Sequence, residues 1–316
     1  MTKLATSITF KLSNGSSIPA LGLGTVPSED ASEVKDQVKT AIKAGYRHID
    51  TAWRYGTEIY VGEAIKESIE EGIVKRSDLF VTTKIWPVFH KNPQDSFKKS
   101  LEDLGLDYVD LLLQHWPLCF KCDNNEGDPP VPMDNDGNTL FDDQTDDGSG
   151  FIEFYKRIEE LYLENPGKIK SIGVSNYSIP FLKKLLPEVK VIPVVNQFEY
   201  HPQLPQQDLI NFCNEHKIHV TAYSPVGSKG APVLKLPLVQ EFADKYGVTT
   251  NEVANAYHIL QGRSSIPRSS NLERIKTTVR LPSLTEEELD QLYQIGVKDP
   301  KRHIGGFFGA DIGFKY

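Results

Sequence analysis

Short apolar runs alternate along this chain with longer stretches in which apolar residues recur at helical spacing. The runs Ala20–Gly24, His48–Thr51, Leu79–Ile85, Val109–His115, Ile169–Val174, Val194–Phe198, His219–Tyr223 and Ser265–Pro267 predict strands buried on both faces. Between them, stretches such as Ala31–Ala44, Glu58–Glu71, Pro93–Leu104, Phe151–Leu163, Ile179–Leu186, Gln206–His216 and Glu252–Gln261 carry an amphipathic helical pattern. Strands alternating with helices in this way predict a parallel α/β barrel of the (β/α)8, or TIM, type. Ahead of the barrel, Ser7–Leu12 alternates, Asn14-Gly15 offers a turn and Ser17–Pro19 returns, which predicts an N-terminal β-hairpin.

The rival is a doubly wound sheet, which would place G-x-G-x-x-G between its first strand and helix. Gly22-Leu23-Gly24 begins such a run, but Pro27 stands at the third glycine position, and Gly305-Gly306 follows no strand. The fingerprint is therefore rejected. Two stretches interrupt the alternation. Asp123–Gly150 is polar, acidic and rich in Gly and Pro, and a loop of that length predicts an active-site lid or a disordered segment. Asp299–Tyr316 mixes Pro, Gly and aromatics without period and reads as a tail lying across the barrel. Residues 1–316 are expected to form one domain, because α/β barrels of roughly 250 residues and more fold as a unit.

A net charge of −8 argues against nonspecific binding to nucleic acid or membrane surfaces. No apolar run suits a signal peptide or a transmembrane helix. Three cysteines, Cys119, Cys122 and Cys213, make no disulfide framework, so a reducing cytosol is the expected compartment.

In a parallel barrel the active site collects at the carboxyl ends of the strands. Asp50 closes the second strand, with Tyr55 just beyond it; Lys84 closes the third and His115 the fourth. A tyrosine is a weak acid at neutral pH, and a nearby lysine cation favours its phenolate and lowers its pKa. A buried aspartate would keep that lysine charged. A histidine could orient a substrate oxygen while Tyr55 passes a proton to it, which suits carbonyl reduction if a hydride donor sits alongside. A Schiff-base lysine is the competing reading, and it uses Lys84 without needing Tyr55.

The runs Gly45–Ala52, Leu111–Pro117, Ile172–Asn176, Ala222–Ser228 and Ser265–Ser269 resemble, in order and across nearly the whole chain, the aldo-keto reductase family. The runs around Leu111–Phe120 and Ile266–Ser269 look most like the fungal D-arabinose dehydrogenase and carbonyl reductase branch. The resemblance implies a catalytic tetrad of Asp50, Tyr55, Lys84 and His115, with Tyr55 as general acid and base. It implies a nicotinamide cofactor held without a Rossmann domain. Thr25, Ser175, Asn176 and Gln197 would lie at the nicotinamide end, Tyr223 would stack on its ring, and Ser224, Val226, Gly227 and Ser228 would wrap the pyrophosphate. Arg268, Ser269, Asn271 and Arg274 match the positions that hold an adenosine 2′-phosphate, with Ser270 among the cofactor-binding residues beside them. Two guanidiniums there offer charge-assisted bonds of about 1.5–3 kcal/mol each, so NADPH is the expected cofactor, as NADP⁺ in reverse.

The same resemblance makes Val26, Trp86 and Trp116 the substrate pocket and a small carbonyl, alcohol or aldose the substrate, in a monomer or homodimer. It also marks departures. Val26 stands where a tryptophan is common, Arg54 where an apolar residue is common beside Tyr55, and Thr277 and Thr278 where adenine contacts are usual. A cofactor-binding regulatory subunit on the same barrel is a further alternative. Cys119-x-x-Cys122 lacks the second pair a zinc site needs, and no metal is expected. Asp134–Asn138 has no glycine at the sixth position of a calcium loop and Thr145 stands where its closing glutamate belongs, so it reads as a polar turn.

Overall fold

A computed structural model describes residues 3–122, 126–142 and 149–315. The predicted lid positions 123–125 and 143–148, Thr145 among them, and the last tail residue lie outside the described residues. After β1 (Lys3–Leu4), β2 (Thr9–Lys11) and β3 (Ser17–Pro19) form the expected antiparallel hairpin, with Phe10 opposite Ile18. Eight parallel strands follow: β4 (Gly22–Gly24), β5 (His48–Asp50), β6 (Phe80–Ile85), β7 (Leu111–Gln114), β8 (Ile172–Ser175), β9 (Val195–Glu199), β10 (His219–Tyr223) and β11 (Ser264–Ile266). They neighbour one another in chain order. The ring closes where the Ser265 amide donates to the Ala20 carbonyl (2.8 Å) and the Gly24 amide to the Pro267 carbonyl (3.0 Å). A last strand, β12 (Arg280–Leu281), pairs antiparallel with β1.

Every residue of β6 is buried, the pattern of a strand with side chains filling the barrel on one face and helices covering the other. The helices are α1 (Glu33–Lys43), α2 (Glu58–Glu70), α3 (Pro93–Leu104), α4 (Gly150–Glu164), α5 (Ile179–Leu185), α6 (Gln207–Glu215), α7 (Pro237–Tyr246), α8 (Thr250–Ile259), α9 (Leu272–Thr277) and α10 (Glu286–Lys298). On α1 the buried Val34, Val38, Ala41 and Ile42 make one stripe, while Lys35, Lys39 and Lys43 on another face pair with Glu63, Glu67 and Glu71.

The amino end of the barrel is plugged. Leu12 and Ile18 of the hairpin region pack with Phe80, Leu111, Leu113, Val194 and Val195. Above this plug, His48 bonds Thr82 Oγ1 (3.1 Å) across the interior. Its ring leaves no space beside β4: a Cβ on Gly22 would lie 2.8 Å from it, so only glycine fits there. With that end filled, the accessible cleft lies at the carboxyl ends.

Candidate active site

The carboxyl end of β5 supplies Asp50, and the short 3-10 turn Trp53–Tyr55 that follows swings Tyr55 back over the mouth. Lys84, next to last in β6, points inward with no exposed surface. Its Nζ donates to Asp50 Oδ1 at 2.5 Å, to the Thr51 carbonyl at 2.9 Å and to Tyr55 Oη at 3.3 Å. Burial opposes a charge on Lys84, but Asp50 and Tyr55 outweigh it and hold the pKa above its ordinary value. The lysine is therefore a buried cation.

Tyr55 departs from the expectation of a lowered pKa. Burial raises it; Lys84 pulls the other way and does not win, so the net direction is upward. The phenol is a protonated group aimed at the cleft. His115 follows β7, with its ring 5.6 Å from that of Tyr55, centroid to centroid, at 77°. Burial, then Lys84, then Arg54 hold it well below its ordinary pKa, so it is neutral at pH 7. Its Nδ1 is buried without a partner among the described residues.

A second network ties the strand ends together. Gln197 Nε2 donates to Asp50 Oδ2 (2.7 Å), so both carboxylate oxygens of Asp50 are engaged. Asn176 Nδ2 donates to the His115 carbonyl (3.0 Å) and Ser175 Oγ (3.1 Å), and Tyr223 Oη donates to Asn176 Oδ1 (2.8 Å). Asn176 adopts φ +64° and Ser224 φ +48°, uncommon backbone for L-residues, and both lie at this mouth. Thr25, fully buried, gives its hydroxyl to the Asp50 carbonyl (3.0 Å).

Aromatic rings wall the cleft. Trp86 lies edge-on to His115 (5.0 Å), and its Nε1 donates to the Pro130 carbonyl, which ties it to the loop expected to act as a lid. Phe308 from the tail meets Trp86, Trp116 and Phe120 at 5.7, 5.5 and 5.2 Å.

The profile of the aldo/keto reductase family matches residues 20–296. The chain belongs to that family. It is 42% identical over 310 residues to the D-galacturonate reductase of Hypocrea jecorina, covering 96% of this chain and 97% of that one. It is 42% identical to the glycerol 2-dehydrogenase (NADP(+)) of Saccharomyces cerevisiae, over 93% of each chain. The solved aldose reductase of Schistosoma japonicum superposes with a TM-score of 0.85 at 29% identity, over 95% of each chain. This aldo/keto reductase is thus an oxidoreductase on the barrel that its sequence pattern predicts.

The remaining predicted positions sit on β10, β11 and the loops beyond them. Tyr223 ends β10, and Ser224, Val226, Gly227 and Ser228 make the turn after it, with Gly227 at φ +81°. Arg268 is exposed after β11, and its Nε donates to the Val26 carbonyl (2.7 Å). Val26 itself is 44% exposed, a rim residue beside Arg268. Ser269 and Asn271 are engaged locally: the Asn271 amide donates to Ser269 Oγ, and Asn271 Oδ1 caps α9 by accepting from the Arg274 amide. Ser270 is exposed between them. Thr277 and Thr278 turn their hydroxyls onto the Glu273 and Arg274 carbonyls of their own helix.

This aldo/keto reductase has a donor set suited to a nicotinamide dinucleotide. Among the described residues no donor reaches Gln197 Oε1, which leaves an acceptor for a carboxamide N–H. Among the described residues no acid pairs with Arg268 or Arg274, which leaves two guanidiniums for a phosphate. Among the described residues no group of His, Cys, Asp and Glu could hold a metal ion, and no helix is long and apolar enough to cross a membrane.

Sequence reasoning missed Phe120, Phe308 and the clamp that carries the tail. Buried Glu199 at the end of β9 accepts from the amides of His303 (2.7 Å) and Ile304 (2.9 Å) and from His201 Nε2 (3.0 Å). Arg302 Nη1 lies 3.6 Å from Oε2, the oxygen that also accepts from the Ile304 amide. His201, the loop histidine before Pro202, thus serves a structural role as a partner of Glu199. An apolar strand ending in a glutamate was the available signal.

Proposed function

We propose that this aldo/keto reductase reduces aldehydes and ketones to alcohols with NADPH, and runs the reverse oxidation with NADP⁺. The observation that carries the reading is Tyr55, protonated, in hydrogen-bond reach of a lysine cation that has no exposure and is charge-balanced by Asp50. A bound nicotinamide would supply the hydride. The chain's own residues would do the rest. The substrate carbonyl oxygen sits between Tyr55 Oη and the His115 ring; the neutral imidazole orients it by donating a hydrogen bond, and Tyr55 gives its proton as negative charge develops there. The Lys84 cation steadies the phenolate left behind. Asp50 holds Lys84 in place and through Gln197 positions the amide that faces a carboxamide. Trp86, Trp116 and Phe308 exclude water from the reacting carbonyl. Because Lys84 is ion-paired and directed at Tyr55, the proton-transfer reading is preferred to a Schiff base.

Arg268 and Arg274 support NADPH over NADH. The curated relatives named above carry names of sugar-acid reduction and polyol oxidation, and the likeness to D-arabinose dehydrogenases points the same way. An open-chain aldose, or its cyclic form oxidised at the anomeric hydroxyl, is the substrate class we propose, alongside simpler aldehydes and ketones. The test is NADPH oxidation followed by absorbance across aldehydes, ketoesters, dicarbonyls and aldoses, with NADH in parallel. Turnover that favours NADPH by about tenfold or more supports the reading. Tight NADPH binding with no carbonyl consumed overturns it.

A further inference from the structure

Arg54 stands immediately before Tyr55 in the turn after β5 and is exposed at the mouth of the cleft. Its Cζ lies 5.6 Å from the centroid of the Trp86 ring, whose centroid is 5.0 Å from that of His115. A cation therefore sits one indole away from the ring that would orient the carbonyl. Among the described residues no carboxylate pairs with this guanidinium. The other cation of the cleft, Lys84, already has Asp50. Arg54 is also among the groups that hold His115 neutral.

We propose that Arg54 is a specificity-determining residue that binds a carboxylate on the substrate, so that the preferred substrates are aldehydes with an acid group several carbons from the carbonyl, such as aldehydo acids and open-chain uronates. The inference rests on the reductase reading above and names its substrate class. A planar guanidinium beside an aromatic wall presents its donor fork to one planar anion. A phosphate dianion calls for further cations or backbone amides. Among the described residues the cleft offers no second unpaired cation beside Arg54, so a carboxylate is the better match. The Arg54 charge would also attract anionic substrates locally, an effect that salt screens.

The experiment compares kcat/KM for matched pairs: 4-oxobutanoate with butanal, D-galacturonate with D-galactose, and glyceraldehyde 3-phosphate with glyceraldehyde. In the native enzyme the acid member of the first two pairs is favoured. Arg54→Gln lowers that acid-to-neutral ratio by about 10- to 100-fold, the loss expected for one charge-assisted bond. Arg54→Glu lowers it further, and Arg54→Lys restores part of it. Raising the ionic strength lowers kcat/KM for the acids and narrows the ratio. An acid-to-neutral ratio that is the same in the native enzyme and in Arg54→Gln overturns the assignment, as does a native preference for the neutral partner. A preference confined to the phosphorylated pair replaces carboxylate with phosphate and overturns it too. Silence from both members of every pair would be the failure of the reductase reading itself, and the assignment would fall with it.

Discussion

Lys84 carries its charge in a place where a charge is expensive. Burying an ion without a partner is unfavourable by several kcal/mol, and here Asp50, the Thr51 carbonyl and Tyr55 together offset that penalty. The pair is accordingly unforgiving. Lys84→Met leaves Asp50 without its cation and is expected to destabilise the fold by about 3–5 kcal/mol, read from chemical denaturation. It should also slow carbonyl reduction by about 100-fold or more, because Tyr55 loses the charge that steadies its phenolate. The upward direction of the Tyr55 pKa sets the pH dependence. Reduction uses the protonated phenol, so its rate should be level through neutrality and fall only on the alkaline side. Oxidation uses the phenolate and should rise as pH increases. A reduction rate that falls between pH 6 and 8, with Tyr55 as the titrating group, contradicts this. At the cofactor end, Arg268→Ala should weaken NADPH about tenfold or more and NADH much less; equal losses would remove the 2′-phosphate assignment.

Among the elements, the first turn of the tail is anchored on one buried side chain, Glu199. Glu199 is fully buried, yet it is kept below the usual carboxylate range: burial raises its pKa, but the bonds from His201 and the His303 and Ile304 amides lower it by more. Glu199→Gln should loosen residues 301–309 and withdraw Phe308 from Trp86 and Trp116. We expect faster proteolysis within the tail and a several-fold higher KM, with the barrel's own unfolding little changed in cooperativity. Unchanged proteolysis would mean that Ser178, whose hydroxyl donates to the Ile312 carbonyl, carries the tail instead. This clamp was hidden from sequence reading because its partners are backbone amides about a hundred residues away, which leave no pattern. Strands were legible where both faces are buried, as in β6. Unpredicted helices had quieter signals: α10 opens with a Thr285/Glu288 capping box and α7 with Pro237, but each has only a narrow buried stripe.

Over the whole molecule, stability should fall on mild acidification. His48 and His219 inside the barrel are pushed down by burial to about 4 and about 3. Both are depressed, so their contribution is complete above the unfolded value near 6.5 and is lost as pH falls toward the folded values. At pH 5 the loss is about 2 kcal/mol for each. Glu58 acts in the opposite sense. Burial raises its carboxyl to about 7 against the bonds from Thr83 and Ser100, so its contribution is complete below about 4.5 and is lost as pH rises toward 7. Two histidines against one glutamate still predict a lower Tm at pH 5 than at pH 7.5, and a larger drop in Glu58→Gln. A Tm that rises on acidification would contradict the buried neutral histidines. At this scale the sequence was most informative. Strand order, barrel class and the convergence of Asp50, Tyr55, Lys84 and His115 follow from alternation and strand ends alone. The direction of the Tyr55 pKa did not, because it turns on how deeply the phenol is buried. Nor did the engagement of Ser269 and Asn271 in capping α9, which depends on local backbone geometry.

The most direct test of the account is Tyr55→Phe assayed two ways, by NADPH-dependent reduction of a good aldehyde substrate and by fluorescence titration of NADPH. The account predicts turnover reduced by at least about 100-fold with NADPH affinity nearly intact. Substantial residual turnover in that variant would show that the proton comes from elsewhere.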